Sequence, residues 1–550
     1  MSNQEKKESF IRGTLILAGA ALIARVLGLF QRVPLEHILG VTGNAAYGQA
    51  NAAYFMLLTL ATAGIPSTLS KMVSERHALN RPEEARKVYQ AALIFAVIAG
   101  VLMFSFLYVM APYYAMKAQV PESAVAIRAL APALLLFPLI AMIRGYLQGR
   151  NIMIAGGVSQ VIEQIVRVAT GIGLAFLFFY WGYSEEKVAA GATFGAVLGG
   201  VAALIVMISY SMRVRRKDRA MNRELHASSA GQQRISYGKI YMDIFKLSIP
   251  IVLTALAVPA VNFIDGSLVK PLLSGQLGSE QAENILGILT NRAQMIAGIP
   301  PILAIALSQS LVPIISAAYA KGDSEHLKRQ VTLAMRVSVL TGAPIILALG
   351  AAAYSVNGLL FSSREGSAIV GLLTVMTIFQ ITMMTSNSIL LGISKANRSM
   401  VHVAIGIAVK LVANYLLAPV WGIYGIIAAT GLGFLVITVL NVYAMKRIVP
   451  FSMLGSRWIG FLAACAVLGA GGYALNEGSN HILVPLLPDR LAFLITCAIV
   501  GVVVVVLYLV LLIALRVVKR DELAGYPAPL RKVLGPLMRL QGRPHREASK

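Results

Sequence analysis

Ala63-Gly64-Ile65-Pro66 and Ala297-Gly298-Ile299-Pro300 are one tetrapeptide used twice, and the places where the two copies fall decide the fold. The first copy lies in the second of about fourteen apolar runs and the other in the eighth, each run near the roughly 20 residues a helix needs to cross a bilayer. The basic segments that follow the copies correspond too: Asn80-Arg-Pro-Glu-Glu-Ala-Arg-Lys87 against Lys321-Gly-Asp-Ser-Glu-His-Leu-Lys-Arg329. A repeat of six spans is even, so its halves run parallel, related by an axis along the membrane normal. The expected fold is an all-α polytopic membrane protein of about fourteen transmembrane helices, two parallel six-helix lobes plus two C-terminal helices.

The runs fall at about 10–32, 45–68, 89–112, 124–146, 154–180, 188–211, 242–266, 285–315, 331–354, 367–391, 399–418, 422–445, 457–476 and 490–515. Composition agrees with them. Of 550 residues, 57% are hydrophobic and 13% charged, against about 25% charged in a soluble domain, and the mean hydropathy is +0.73. The longest polar connection, 212–246, divides the chain. The expected parts are an N-terminal lobe 1–211, a basic linker 212–246, a C-terminal lobe 247–447, two further helices in 448–515 and a basic tail 516–550.

Orientation follows from the loops. With the N-terminus inside, the even-numbered connections carry Lys71, Arg76, Arg81, Arg86, Lys87, Arg144, Arg150, the run from Arg213 to Lys246, then Lys321, Lys328, Arg329, Arg336, Lys395, Arg398, Lys446, Arg447 and Arg457, and the tail from Arg516 adds more. The other side holds only Lys117, Arg128, Lys187, Lys270, Arg364 and Arg490. This asymmetry places both termini in the cytoplasm of a multi-pass cell-membrane protein. It also accounts for most of the formal +24 charge, as a basic surface facing anionic membrane lipids rather than nucleic acid. The polar start Met1–Ser9 runs into a full-length span without an A-x-A-like site, so no cleavable signal is expected.

No cofactor and no metal is expected, because no His/Cys cluster has ligand spacing and neither a Walker A sequence nor H-E-x-x-H occurs. Cys465 and Cys497 read as small buried hydrophobes. The outward connections are short and offer no acidic catalytic loop, which favours transport over enzymatic catalysis.

Candidate site residues are the charges inside the apolar runs. Arg25, Arg32, Arg167, Arg292 and Lys410 outnumber Glu163 and Asp265 at comparable depth. A charge at the bilayer centre costs about 2.5–3.5 kcal/mol on insertion scales, so it faces a bundle interior or a wet cavity. The positive surplus points to an anionic substrate. Arg25 and Arg32 lie seven residues apart on one helical stripe, about 10 Å along the axis. With Arg292 they would suit a pyrophosphate, because a guanidinium binds phosphate oxygens bidentately. Arg32 is also open to a plainer reading, in which it ends its helix and snorkels to the surface. Glu163 and Arg167 have i,i+4 spacing and read as a pair that neutralises itself and locks helices together. Asp265, Lys410 and Asn414 read either as a static ion-pair group or as a gate.

Several motifs carry a resemblance: Arg12-Gly-Thr-Leu15, Arg25-Val-Leu-Gly28, Ala61-Thr-Ala-Gly-Ile-Pro-Ser67, Ser70-Lys-Met-Val-Ser74, Arg144-Gly-Tyr-Leu-Gln-Gly149 and Ser159-Gln-Val-Ile-Glu-Gln-Ile-Val-Arg167. Over nearly its whole length the chain resembles the polysaccharide branch of the multidrug/oligosaccharidyl-lipid/polysaccharide (MOP) exporter superfamily. Within it, the chain is similar to MurJ-like lipid II flippases and stage V sporulation protein B. The resemblance implies a V-shaped cavity and flipping of an undecaprenyl-pyrophosphate-linked peptidoglycan precursor. One chain already supplies both lobes, so a monomer is expected to function. The resemblance maps the flippases' first-helix arginine onto Arg25 and their eighth-helix arginine onto Arg292. Their second first-helix arginine is displaced, with Gln31 at the matching position and Arg32 beside it, and their second-helix arginine has no counterpart in the uncharged Tyr54–Leu60.

Some relatives hold sodium between the seventh and eleventh helices, where this chain has Asp265, Lys410, Asn414 and Thr430. The Lys410 ammonium would stand in for the ion, leaving membrane potential or lipid turnover as the drive. Two alternatives remain open on sequence. One is flipping of another polyprenyl-pyrophosphate glycan, such as a capsular unit. The other is multidrug or cation antiport, which the positive surplus disfavours.

Overall fold

The computed structural model describes residues 19–20, 23–24, 26–28, 30–79, 81–150, 152–225, 236–302 and 314–518. Among the described residues there is helix and no strand. Eleven helices among the described residues are long and apolar enough to cross a membrane, or twelve when one bent pair counts as a span. These correspond to twelve of the expected runs. The other two, 10–32 and 285–315, include residues outside the described set. Arg25 and the tail residues 519–550 also lie outside it.

Contacts divide the chain into two compact units, Met1–Asn291 and Arg292–Lys550. The first holds α1 (30–38), α2 (Gly40–Thr62), α3 (Ile65–Ala78), α4 (Pro82–Lys117), α5 (Ser123–Leu130), α6 (Ala133–Gly149), α7 (Met153–Tyr180), α8 (Glu185–Leu225), α9 (Tyr237–Ala255), α10 (Ala257–Leu277) and α11 (Ser279–Gly287). A π-helical stretch, Ile288–Ala293, carries the chain into the second unit. That unit contains α12 (Gln294–Ala297), α13 (314–320), α14 (Ser324–Ala351), α15 (Ala353–Phe361), α16 (Ser367–Gly392), α17 (Ala396–Trp421), α18 (Ile423–Lys446), α19 (Trp458–Leu483) and α20 (Asp489–Ala514).

Helix α2 is central to the first unit. Its stretch from Gly43 to Tyr54 is continuously buried and touches α5, α6, α8, α10 and α11. Small residues make this approach possible, since lipid supplies no hydrophobic drive and close packing must do the work. The same rule explains the Arg144–Gly149 motif. A Cβ on Gly145 would come within 2.5 Å of the Pro66 carbonyl, and one on Gly149 within 2.6 Å of the Ser70 carbonyl. This G-x-x-x-G face of α6 thus docks on the backbone of α3.

Both copies of the repeated tetrapeptide interrupt a helix. In the first, α2 stops at Thr62, Gly64 takes φ +75°, and α3 restarts at Ile65 with Pro66 in its first turn. In the second, α12 stops at Ala297, with Gly298 at φ −75°. The motif is a built break, placed where proline lacks the N–H a continuous helix requires.

The expected run 242–266 is a bent pair, α9 and α10, meeting at Leu256 with a 50° bend. The cause is Pro259, whose ring collides with the carbonyl four residues back, at Ala255, where α9 ends. The polar connection 212–246 is partly helical, because α8 runs on to Leu225 and α9 begins at Tyr237. Residues 226–235 lie outside the described set.

Candidate functional site

Arg32 sits on α1, and its guanidinium is spent in part on backbone. Nη1 donates to the carbonyls of Thr290 (3.0 Å) and Asn291 (3.3 Å). Both belong to the π-helical stretch, whose wider turn is rare and frequently marks functional positions. Asn291 in turn donates to the Asn44 carbonyl at 2.7 Å and Oδ1 at 3.3 Å, while Thr290 bonds back to the Leu286 carbonyl at 2.8 Å. Gly48 of α2 lies so close that a Cβ there would sit 2.0 Å from Thr290 Oγ1. Helices α1 and α2 and the π segment are therefore bound together at Arg32.

On α7 the expected pairing is corrected. Glu163 does not close on Arg167. Its Oε2 accepts from Arg144 of α6 at 2.7 Å, and the same Arg144 nitrogen donates to Ser159 at 2.9 Å. Arg144 is thus a residue of the helix bundle rather than a loop charge. The i,i+4 spacing brings Glu163 and Arg167 near each other but cannot rank them against a cation arriving from a neighbouring helix.

Arg167 goes elsewhere, lying over the Phe55 ring of α2 with its guanidinium carbon 5.9 Å from the centroid. Its root is pinned against α8. A Cβ on Gly195 would meet the Arg167 carbonyl at 2.8 Å, and one on Gly199 would meet Arg167 Cβ at 2.9 Å. Arg32 and Arg167 are within electrostatic reach of each other.

In the second unit, Arg292 lies 5.6 Å over the Phe361 ring and donates to the Glu365 carbonyl at 3.5 Å. The α15–α16 turn holds two more arginines. Arg490 donates to Ser362 Oγ at 2.7 Å, and Arg364 is flanked by Tyr354 and Phe493 at 5.2 and 5.4 Å. Lys410 is fully buried on α17, with Asn414 Oδ1 3.4 Å from its ammonium. Thr430 is buried on α18, and in the first unit Asp265 is buried on α10.

Sequence reasoning missed one buried pair entirely. Lys270, expected among the outward-loop charges, is buried on α10 with its ammonium 2.5 Å from Glu283 Oε2 of α11. They are thirteen positions apart with a helix end at Gly278 between them, so no helical periodicity links them. Among the described residues no group of three or more His, Cys, Asp or Glu is placed to hold a metal ion.

Residues 10–319 match the model of a family described as polysaccharide biosynthesis protein. The chain is similar to the lipid II flippase MurJ of Bacillus subtilis (strain 168), 27% identical over 476 residues, which cover 84% of this chain and 87% of that one. It is also similar to stage V sporulation protein B of the same organism, 23% identical over 529 residues, or 95% and 98% of the two chains. Among solved structures, a lipid II flippase MurJ in an inward closed conformation aligns with TM-score 0.63 at 13% identity, covering 90% of this chain and 98% of that one. An inward-facing MATE family transporter of the MOP superfamily aligns with TM-score 0.61 at 16% identity, covering 77% and 94%. Both structural likenesses speak to the fold.

Proposed function

The chain belongs to the polysaccharide biosynthesis protein family, and from that premise we propose that it is a flippase for a lipid-linked, polyprenyl-pyrophosphate cell-wall precursor, with lipid II as its substrate. It carries the precursor across the cell membrane as a monomer, both termini in the cytoplasm, by alternating access of the lobes 1–211 and 247–447. Arg25, Arg32 and Arg292 hold the pyrophosphate, and Asp265, Lys410 and Asn414 set the conformational cycle without sodium.

The observation that carries this reading is the excess of guanidinium at membrane depth. Arg32 donates to the backbone carbonyls of Thr290 and Asn291, and Arg292 lies over the Phe361 ring and donates to the Glu365 carbonyl. A cation antiporter would need the opposite balance. The similarity to a lipid II flippase over most of both chains supports lipid II as the cargo. The family's own description supports a second reading, another polyprenyl-pyrophosphate glycan recognised through the same phosphates.

The test is translocation of fluorescent lipid II in proteoliposomes holding the full chain, with Arg25→Ala and Arg292→Ala in parallel. Translocation abolished by both changes is the expected result. A folded wild-type protein that does not move lipid II sends the assignment to the second reading. Translocation that survives both changes makes the arginines structural. Sodium-dependent flipping that Asp265→Ala abolishes would remove the role given to Lys410.

A further inference from the structure

A run of hydrogen bonds ties α16, α17 and α18 together, and its direction can be read from one sulfur. Asn387 of α16 places its amide 3.0 Å from Met383 Sδ. A thioether only accepts, so the atom facing it is the amide nitrogen, and Asn387 Oδ1 points the other way. Ser399 of α17 donates to that oxygen at 2.9 Å, and Asn441 of α18 donates to it at 2.7 Å. The same Asn441 nitrogen donates to Ser386 Oγ at 2.9 Å, whose own proton goes to the Met383 carbonyl at 2.9 Å. Asn441 Oδ1 is left to face His402 Nδ1 of α17 at 2.7 Å. An amide oxygen can only accept, so Nδ1 carries the proton and Nε2 holds the lone pair.

The two asparagines and two serines are buried, whereas His402 is half-buried and its Nε2 meets no hydrogen-bond partner among the described residues. Helix α17 packs on α18 and α16. None of the three contains Asp or Glu, and their cations are Arg398 and Lys410 on α17 and Lys446 on α18. Histidine is the side-chain type that changes charge between about pH 5 and 8, and His402 is the only histidine on these helices.

The first half builds the corresponding junction differently. Arg144-Gly-Tyr-Leu-Gln-Gly149, which ends α6, and Asn387-Ser-Ile-Leu-Leu-Gly392, which ends α16, stand at one constant offset. The starts of α7 and α17 keep it, and it pairs Ser159 with His402 and Arg167 with Lys410. In the first half the permanent charges of Arg144 and Glu163 join the helices there. Asn387 and Gly406 take their places in the second half, so the one charge this network can gain is a proton on His402.

We propose that His402 is a proton-binding site of the second unit, locked by this network in the Nδ1–H tautomer, and that the proton it takes on Nε2 regulates transport. Protonation leaves the bond to Asn441 in place and makes it charge-assisted, roughly twice as strong. Proton uptake therefore tightens α17 on α18 rather than releasing it.

The test has two readouts on the full chain. The first is the imidazole nitrogen NMR spectrum of histidine-labelled protein in lipid bilayers, recorded from pH 5 to 8. His402→Asn identifies the resonance, since its amide can still donate to Asn441 but takes up no proton; His402→Gln serves if the asparagine variant does not fold. The expected result is an Nδ1–H imidazole at pH 8 that gains a proton on Nε2 as the pH falls. An Nε2–H tautomer, or no proton gained down to pH 5, overturns the site. The second readout, which rests on the flippase reading, is translocation of fluorescent lipid II in proteoliposomes over the same pH range. The wild-type rate should change several-fold, and His402→Asn should lose most of that change. A variant profile that follows the wild type overturns the link between the proton and transport. The NMR titration needs no cargo, so a protein that titrates as expected but moves no lipid II removes the choice of cargo and leaves the proton site standing.

Discussion

Arg144 reaches from α6 to Glu163 on α7 at 2.7 Å, and both side chains are largely covered, 21% and 12% exposed. Removing one partner leaves the other charge buried and unpaired, which costs about 3–5 kcal/mol. Arg144→Ala is therefore expected to lower the unfolding midpoint of the detergent-purified protein sharply. Glu163→Gln, which keeps an acceptor for the guanidinium, should lower it much less. Equal effects from the two substitutions would mean that charge balance is not what holds α6 to α7. Thermal unfolding followed by light scattering or tryptophan fluorescence makes the comparison.

The spans were legible because their signal is local. About 20 apolar residues in a row announce a helix whatever surrounds it, and every expected run from 331–354 to the end has its helix. Breaks were less legible. Pro259 was in plain view, yet the run 242–266 reads as one continuous span, since proline is tolerated inside membrane helices when neighbours re-satisfy the backbone. Ion pairs were the least legible. Glu163 had a cation four residues away on its own helix, but its partner comes from α6, nineteen residues back. Lys270 was counted with the loops because it falls past the run 242–266, and nothing local points to Glu283. Which charges meet is a property of packing, and packing between helices is not periodic in sequence.

Helices α7 and α8 approach through Gly171, Gly195 and Gly199. A Cβ on Gly195 would sit 2.5 Å from Gly171 Cα and 2.8 Å from the Arg167 carbonyl, both backbone atoms with no rotamer to yield. Gly195→Ala should force the helices apart and shift Arg167, reducing both thermal stability and translocation. Gly173, on α7, meets nothing within 4 Å. Gly173→Ala should leave translocation intact and raise stability by about 0.5–1 kcal/mol, the ordinary helix gain. A Gly195→Ala protein as stable as wild type would show that this contact is loose.

Lys270 and Glu283 offer a cleaner energetic test, because their side chains are 5% and 11% exposed. Glu283 Oε1 has no hydrogen-bond partner among the described residues, so the pair is incompletely satisfied. An ion pair in that condition does not recover its desolvation cost. Lys270→Met alone should destabilise by about 3–5 kcal/mol, leaving a bare carboxylate. The double variant Lys270→Met with Glu283→Leu should return to wild-type stability or exceed it. If the double variant is no better than the single one, the pair is a net stabiliser of the α10–α11 junction.

The last two helices are fastened by side-chain amides rather than by shape alone. Asn480 of α19 donates to Ser355 of α15 at 2.8 Å and accepts from Thr496 of α20 at 3.2 Å. Ser355 donates onward to Asn476 Oδ1 at 2.6 Å. Asn480 is therefore the one side chain in this chain of bonds that touches both of its neighbouring helices. Interhelical bonds of this kind contribute about 0.6–2 kcal/mol each in a membrane, where no water replaces a lost partner. Asn480→Ala removes two of them, so α20 should separate from α19 more often. Cys497, next to Thr496 and half-buried, reports that opening. In a Cys465→Ala background, alkylation of Cys497 by N-ethylmaleimide should run several-fold faster in Asn480→Ala than in the parent. An unchanged rate would place the hold on α20 in the apolar contacts of Val500 and Val504 with Ala351 and Ala352, and the amides would then only fix the register of an already packed pair.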